Sequence, residues 1–191
     1  MEKVCFPKAK VNLGLNIVSR RADGYHDLET VFVTLELCDR LEVALADGTE
    51  PRCEMHLSGI AIEGDPQCNL VVRAYELLSA DHTLPPVRAT LVKHIPTQAG
   101  MGGGSSDGAS MLMLLNDMCQ LGLSQQQLID YARRLGADCP YFILDGVPAY
   151  AEGIGERLLP ITLDLSQYAS GVYYVRVVST SGTSVRKLVV K

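Results

Sequence analysis

Residues 100 to 110 read GMGGGSSDGAS: Gly102, Gly103 and Gly104 in a row, then two serines, then an apolar run. Glycine costs conformational entropy in any ordered segment, so such a run points to backbone that must approach something closely. Free N–H groups in succession, with the positive end of a helix dipole behind them, form an anion cradle, and phosphate is the anion most often held this way. A tight connection that uses glycine only for geometry is the plainer alternative; the serines and the helix start directly behind count against it. A Walker loop needs Gly-Lys-Ser/Thr, and no lysine follows here. In a dinucleotide fingerprint a third glycine is required, and Ser105 occupies its place. The cradle predicts that Gly103→Val removes anion binding and leaves the fold intact.

The elements around this loop can be read from periodicity. KAKVNLGLNIVSRR alternates through Val11, Leu13, Leu15 and Ile17, the pattern of a half-buried strand, and Asp23-Gly24 then marks a turn. LETVFVTLEL, DRLEVALADG, CEMHLSG and VRATLVKHI are further strands, the last ending near Ile95. Asn69 stands where an N-cap should, ahead of the helical NLVVRAYELLSA. Ser105 and Ser106 are expected caps for DGASMLMLLNDMCQ, a helix apolar nearly all round and therefore buried. SQQQLIDYARRLG runs from a Ser124 cap to Gly136, DCPYFILDG is a short third helix, and VPAYAEG and ERLLPI are two more strands. Strands first and helices later predict an α+β domain, with a largely antiparallel or mixed sheet and helices on one face.

Composition narrows the partners. The chain has 191 residues, 47% hydrophobic and 20% charged, with a net charge of -5; this suits one domain, alone or with a small appendage, and argues against nucleic acid as a partner. Six scattered cysteines without a CxxC pair read as reduced core residues. No His/Cys/carboxylate constellation suggests a transition metal, and His56, His82 and His94 match nothing. The opening MEKVCFPKAK lacks the apolar core of a signal peptide, and no apolar run is long enough to span a bilayer. These features predict a cytoplasmic protein without a membrane partner.

Pro96 to Asp107 follows P-x-x-x-G-x-G-G-G-S-S-D, which resembles the nucleotide loop of the GHMP kinases. KAKVNLGLNIVSRRADGYHDLETVF, LGADCPYFILDG and AEGIGERLLPI are similar, in order and spacing, to the branch of that family acting on a cytidylated methylerythritol in the non-mevalonate isoprenoid pathway. The resemblance covers roughly residues 5 to 165. It implies the GHMP kinase N-terminal fold (ribosomal protein S5 domain 2-like), ATP as co-substrate with Mg2+ held largely by phosphate oxygens and water, and a small-molecule alcohol as acceptor. Lys10 and Asp138 would be the catalytic pair: a carboxylate near the hydroxyl and positive charge near the transferring oxygens are what phosphoryl transfer needs. Taken alone, Lys10 reads as a solvated edge lysine and Asp138 as an N-cap.

By the same resemblance, Pro96, Thr97, Gln98, Ala99, Gly100, Met101, Gly102, Gly103, Gly104, Ser105 and Ser106 would bind ATP, flanked by Asn69 and Lys93. Asn69 could instead be only a cap, and Lys93 only an exposed strand residue. Asn12, Tyr25 and His26 would bind the substrate, the tyrosine stacking on cytosine and the histidine bonding its edge. Phe32 either lines the same pocket or fills the core.

The kinase likeness ends near Asp164, where members of the family continue into a second α+β domain. This chain is read as 1–165, the ATP-binding and catalytic domain, and 166–191, a tail in which the usual second domain is absent. Impaired turnover, or a nucleotide-binding remnant, is the alternative to a working kinase. Val172 to Val178 alternate, STSGTS turns and VRKLVVK returns, which predicts a C-terminal β-hairpin over 171–190. The ending resembles a type IX secretion sorting domain.

Overall fold

A computed structural model describes all residues except 1, 23, 25, 49–51, 63–64, 145, 156, 162–165, 180–181 and 191, with side chains left out over 175–188. The chain forms two compact units, Met1–Val11 with Thr34–Gly146, and Asn12–Val33 with Val147–Lys191.

The first unit contains a four-stranded sheet in the order β1-β4-β6-β5, built from β1 (Glu2–Cys5), β4 (Arg40–Leu45), β6 (Val87–Lys93) and β5 (Cys53–Gly59). β4 lies antiparallel to both neighbours, while β5 runs parallel to β6. The intervening α1 (Leu70–Ser79) supplies the crossover that a parallel pair requires. Leu41 and Val43 of β4 and Ala89 and Leu91 of β6 are fully buried.

α1, α2 (Gly103–Met118), α3 (Gln125–Leu135) and α4 (Cys139–Ile143) pack on one another, and α1 and α2 also touch strands of this sheet. Met111, Leu112 and Leu115 of α2 are fully enclosed, each contributing roughly 1.5–3 kcal/mol by burial. α2 is therefore the central helix, as its all-round apolarity predicts. Asn69 caps α1 by accepting from the Val71 N–H at 2.9 Å. Ser124 and Gln127 form a capping box on α3, and Gly136 ends it.

In the second unit lie most of β2 (Lys8–Arg20) and β3 (His26–Cys38), with β7 (Ala149–Gly153) and β8 (Arg157–Pro160), in the order β2-β3-β7-β8. The expected single sheet is thus two four-stranded sheets, one mixed and one in which β7 lies antiparallel to both β3 and β8. β9 (Gly171–Ser179) and β10 (Gly182–Val190) pair antiparallel as the predicted hairpin and form a sheet of their own. Phe32 is fully buried, which favours its core alternative.

β1 had no anticipated counterpart, since four residues carry too little periodicity to read. All six cysteines are free, but only Cys139 is fully buried, so the reading of every one as a core residue is corrected. Among the described residues no helix is long and apolar enough to cross a membrane.

Candidate active site

The loop from β6 to α2 spans residues 94–102 and lines a cleft of about 350 Å³. Three of its residues are left-handed: Gln98 (φ 56), Gly100 (φ 70) and Gly102 (φ 65). Gly102 is required twice over. Besides its positive φ, a Cβ there would come within 3.0 Å of Phe142 Cζ and 3.1 Å of Lys10 Cγ.

The helix behind the loop starts earlier than expected. Gly102 is its N-cap, the first turn contains Gly103 to Ser106, and no side chain caps it. The assignment of Ser105 and Ser106 as caps is therefore corrected. Serine is the stronger cap in general, but here bare glycine backbone begins the helix: the Ser106 N–H donates to Gly102 O at 2.9 Å, and the N–H groups of Gly103, Gly104 and Ser105 before it have neither an intrahelical acceptor nor a capping side chain. That terminus is chemically an anion site. Ser105 lines the cleft, whereas Ser106 is buried away from it.

Gly103 also departs from expectation. An added Cβ would meet Ile95 Cγ2 at 2.8 Å and Lys93 Nζ at 3.2 Å, so a larger residue would strike the protein interior rather than a ligand. At Gly104 the nearest atom to an added Cβ is Leu70 Cδ1, at 4.0 Å. Gly104, like Gly100, has open space beside it.

Lys10 and Asp138 meet. The Lys10 ammonium is 3.2 Å from Asp138 Oδ2, and the Lys10 backbone N–H donates to Met101 O at 2.9 Å, binding strand to loop. Lys10 is 5% exposed, which removes the solvated-edge alternative. Asp138 occupies the N-cap position of α4 with helical backbone angles and makes no cap bond. Its carboxylate is partly open to solvent (31%) and faces the lysine instead.

Residues 96 to 105 line the cleft together with Asn69, Leu70, Lys93 and Asp107. Asn69 thus both caps α1 and borders the cleft. Lys93 is 2% exposed, contrary to the exposed-strand alternative, because its ammonium is held inside the protein. It donates to Asp39 Oδ2, and to Asp107 Oδ2 at 2.8 Å. Asp39 Oδ1 accepts the N–H groups of His94 (2.6 Å) and Ile95 (2.8 Å). Burial pushes the Asp107 carboxyl up to about 7, against the pull of Lys93 and with the help of the Asp39 charge.

Asp39 and Asp107 were missed as site residues. Asp107 ends the quoted loop motif and was readable as part of it; Asp39, in LCDRLE, carries no local signal. Asn12 and His26 fall in the second unit, Asn12 half-buried on β2 and His26 exposed at the start of β3. Tyr25 lies outside the described residues. No group of three or more His, Cys, Asp or Glu side chains among the described residues could hold a metal ion.

Residues 69–146 match the GHMP kinases N terminal domain, and residues 154–191 match the secretion system C-terminal sorting domain. The chain carries the GHMP kinase N-terminal fold. Within that class, it is 50% identical over 165 residues to the 4-diphosphocytidyl-2-C-methyl-D-erythritol kinase of Bacteroides fragilis, covering 86% of this chain and 60% of that one. The enzyme of the same name from Porphyromonas gingivalis is 41% identical over 158 residues, 83% of this chain and 57% of that one. A crystal structure of 4-(cytidine 5'-diphospho)-2C-methyl-D-erythritol kinase superposes with a TM-score of 0.68 at 41% identity, covering 85% of this chain and 56% of that one. The Methanococcus jannaschii mevalonate kinase shares the fold at 10% identity, with a TM-score of 0.61 over 90% of this chain and 59% of that one. The chain spans about three fifths of the length of the curated relatives it matches.

Proposed function

We propose that this chain provides the ATP-binding and catalytic part of a kinase that phosphorylates the 2-hydroxyl of 4-diphosphocytidyl-2-C-methyl-D-erythritol. The observation that carries the reading is the Lys10–Asp138 pair, joined to the glycine loop through the Lys10 N–H and Met101 O. Asp138 would take the proton of the acceptor hydroxyl as its oxygen attacks the γ-phosphorus of ATP and ADP leaves. Lys10 places positive charge where the transferring oxygens gather.

ATP fits the cleft through the uncapped first turn of α2 and the left-handed loop, both of which offer main-chain N–H groups to phosphate. Asn69 borders the same cleft. Mg2+ would be carried largely by phosphate oxygens and water, with Ser105 the loop hydroxyl that borders the cleft. Asn12, Tyr25 and His26 are proposed to hold the cytidylated substrate.

The sorting-domain match over 154–191 favours a second reading: a nucleotide-binding remnant whose tail is recognised by a secretion system, and which acts outside the cytoplasm. Purified chain should form ADP from ATP only when the cytidylated alcohol is present. Nucleotide binding without substrate-dependent ADP formation would select the remnant.

A further inference from the structure

Three charged side chains are enclosed beneath the glycine loop. Lys93, Asp39 and Asp107 are each no more than 2% exposed. Enclosing such groups costs several kcal/mol per ion, and well-packed apolar residues of similar size usually stabilise a fold as well or better. The cluster is not optimised for stability either. Asp107 Oδ1 is buried without a hydrogen-bond partner, an arrangement that itself destabilises the fold.

What the cluster does have is a position. Lys93 is the last residue of β6, and Asp39 receives the N–H groups of His94 and Ile95, the first two residues of the loop. Asp107 lies on α2, four residues after its start. Lys93 Nζ also lies 3.2 Å from where a Cβ on Gly103 would be. The ammonium thus bridges the strand that enters the loop and the helix that leaves it, directly under the first helical residue. The loop between these anchors contains three left-handed residues and no regular backbone pairing of its own, so its ends must be held for its N–H groups to converge.

We propose that Asp39 and Asp107 are positioning residues, which act through Lys93 to fix both ends of the phosphate loop and so preset its anion cradle. This rests on the nucleotide-binding reading of the cleft and revises one part of it. Lys93 serves by its bonds to the two carboxylates, rather than by touching the nucleotide.

The test uses the full chain, with ADP as the probe. Hydrogen exchange of residues 94–106 is measured without nucleotide, relative to α3, in the wild type, Asp107→Ala and Asp107→Asn; ADP affinity is measured in the same three proteins. Asparagine retains an oxygen that can accept from Lys93; alanine does not. Loss of a charge-assisted bond is worth about tenfold or more. Asp107→Ala should therefore speed loop exchange and weaken ADP by about that factor, with α3 unchanged, and Asp107→Asn should return both close to wild type. Equal loop exchange in Asp107→Ala and wild type, or an asparagine variant as loose as the alanine one, overturns the proposal. The wild type alone supplies a check that needs no variant to fold. The amides of His94 and Ile95 should open in one step with the first turn of α2, and independent opening again refutes it. Failure of the wild type to bind ADP would defeat the nucleotide reading, while the exchange measurements would still decide the positioning role.

Discussion

The ammonium of Lys10 lies 3.2 Å from the Asp138 carboxylate, although 128 positions of sequence separate them. The lysine is enclosed, while the aspartate is partly open and has no role in capping the helix it precedes. A pair built this way has one buried partner to set charge and one accessible partner to accept a proton.

Asp138→Asn should therefore abolish nearly all phosphoryl transfer and leave ADP affinity within about threefold of wild type, since the amide is similar in size but a poor proton acceptor. Lys10→Met should also lower the rate, by about a hundredfold or more, through lost stabilisation of transition-state charge. Single-turnover ADP formation and equilibrium nucleotide binding separate the two effects. A fully active Asp138→Asn enzyme would show that another group accepts the proton.

The two adjacent glycines should respond in opposite ways to valine. At Gly103 the added atoms meet Ile95 and Lys93, so Gly103→Val should lose about 1–3 kcal/mol of stability through overpacking. At Gly104 the space is open towards the cleft, so Gly104→Val should keep its melting temperature and lose nucleotide affinity. Denaturant unfolding beside ADP titration checks both. The reverse pattern would place the anion beside Gly103.

Much of this was legible in the sequence. The periodic helices, the caps at Asn69 and Ser124, the Gly136 stop and the terminal hairpin all follow local rules, because their signals lie within a few residues of one another. The glycine loop and Asp138 were legible by motif. The start of α2 was misread because serine outranks glycine as a cap, a local preference that the Gly102 geometry overrides. The burial of Lys93 was not legible for a different reason. A strand lysine is normally solvated, and nothing near it in sequence reveals that Asp39, 54 positions away, comes to meet it. Long-range charge partners leave no local pattern.

Asp107 gives the fold a pH dependence of known sign. Its ordinary value of 3.8 is raised to about 7, chiefly by burial, so the folded state holds this proton after the unfolded chain has released it. Its contribution to stability is complete below pH 3.8 and is lost as pH rises through about 7, by on the order of 4 kcal/mol in total. Asp107→Asn has no such proton. Its unfolding free energy relative to wild type should rise between pH 5 and pH 8, read from denaturant midpoints at the two values. A constant difference between the two proteins would show that Asp107 is ionised throughout.

His26 is exposed at the start of β3, in the unit that does not contain the glycine loop. As a cytosine contact, its replacement in His26→Ala should raise KM for the cytidylated alcohol about tenfold and leave KM for ATP nearly unchanged, the cost of leaving a base edge unpaired. Equal changes in both KM values would remove His26 from the substrate site.

The last expectation concerns the tail. β9 and β10 hydrogen-bond along their full register to each other and, among the described residues, form a sheet with no other member. Val172, Tyr174 and Val189 are more than half exposed, and the register puts Val172 opposite Val189. Alternation along a strand puts Val172 and Tyr174 on one face, so these three residues form an apolar surface left open to solvent. A hairpin that served as a structural cover would enclose such a face. Deletion of residues 166–191 should accordingly shift the melting temperature by less than about 3 °C, equivalent to under about 1 kcal/mol for a chain of this size. Hydrogen exchange of α1, α2 and α3 should be unchanged, and the tendency to self-associate should fall as the apolar face is removed. A large drop in melting temperature on deletion would instead assign the hairpin a part in the fold itself, and would move the domain boundary away from residue 165.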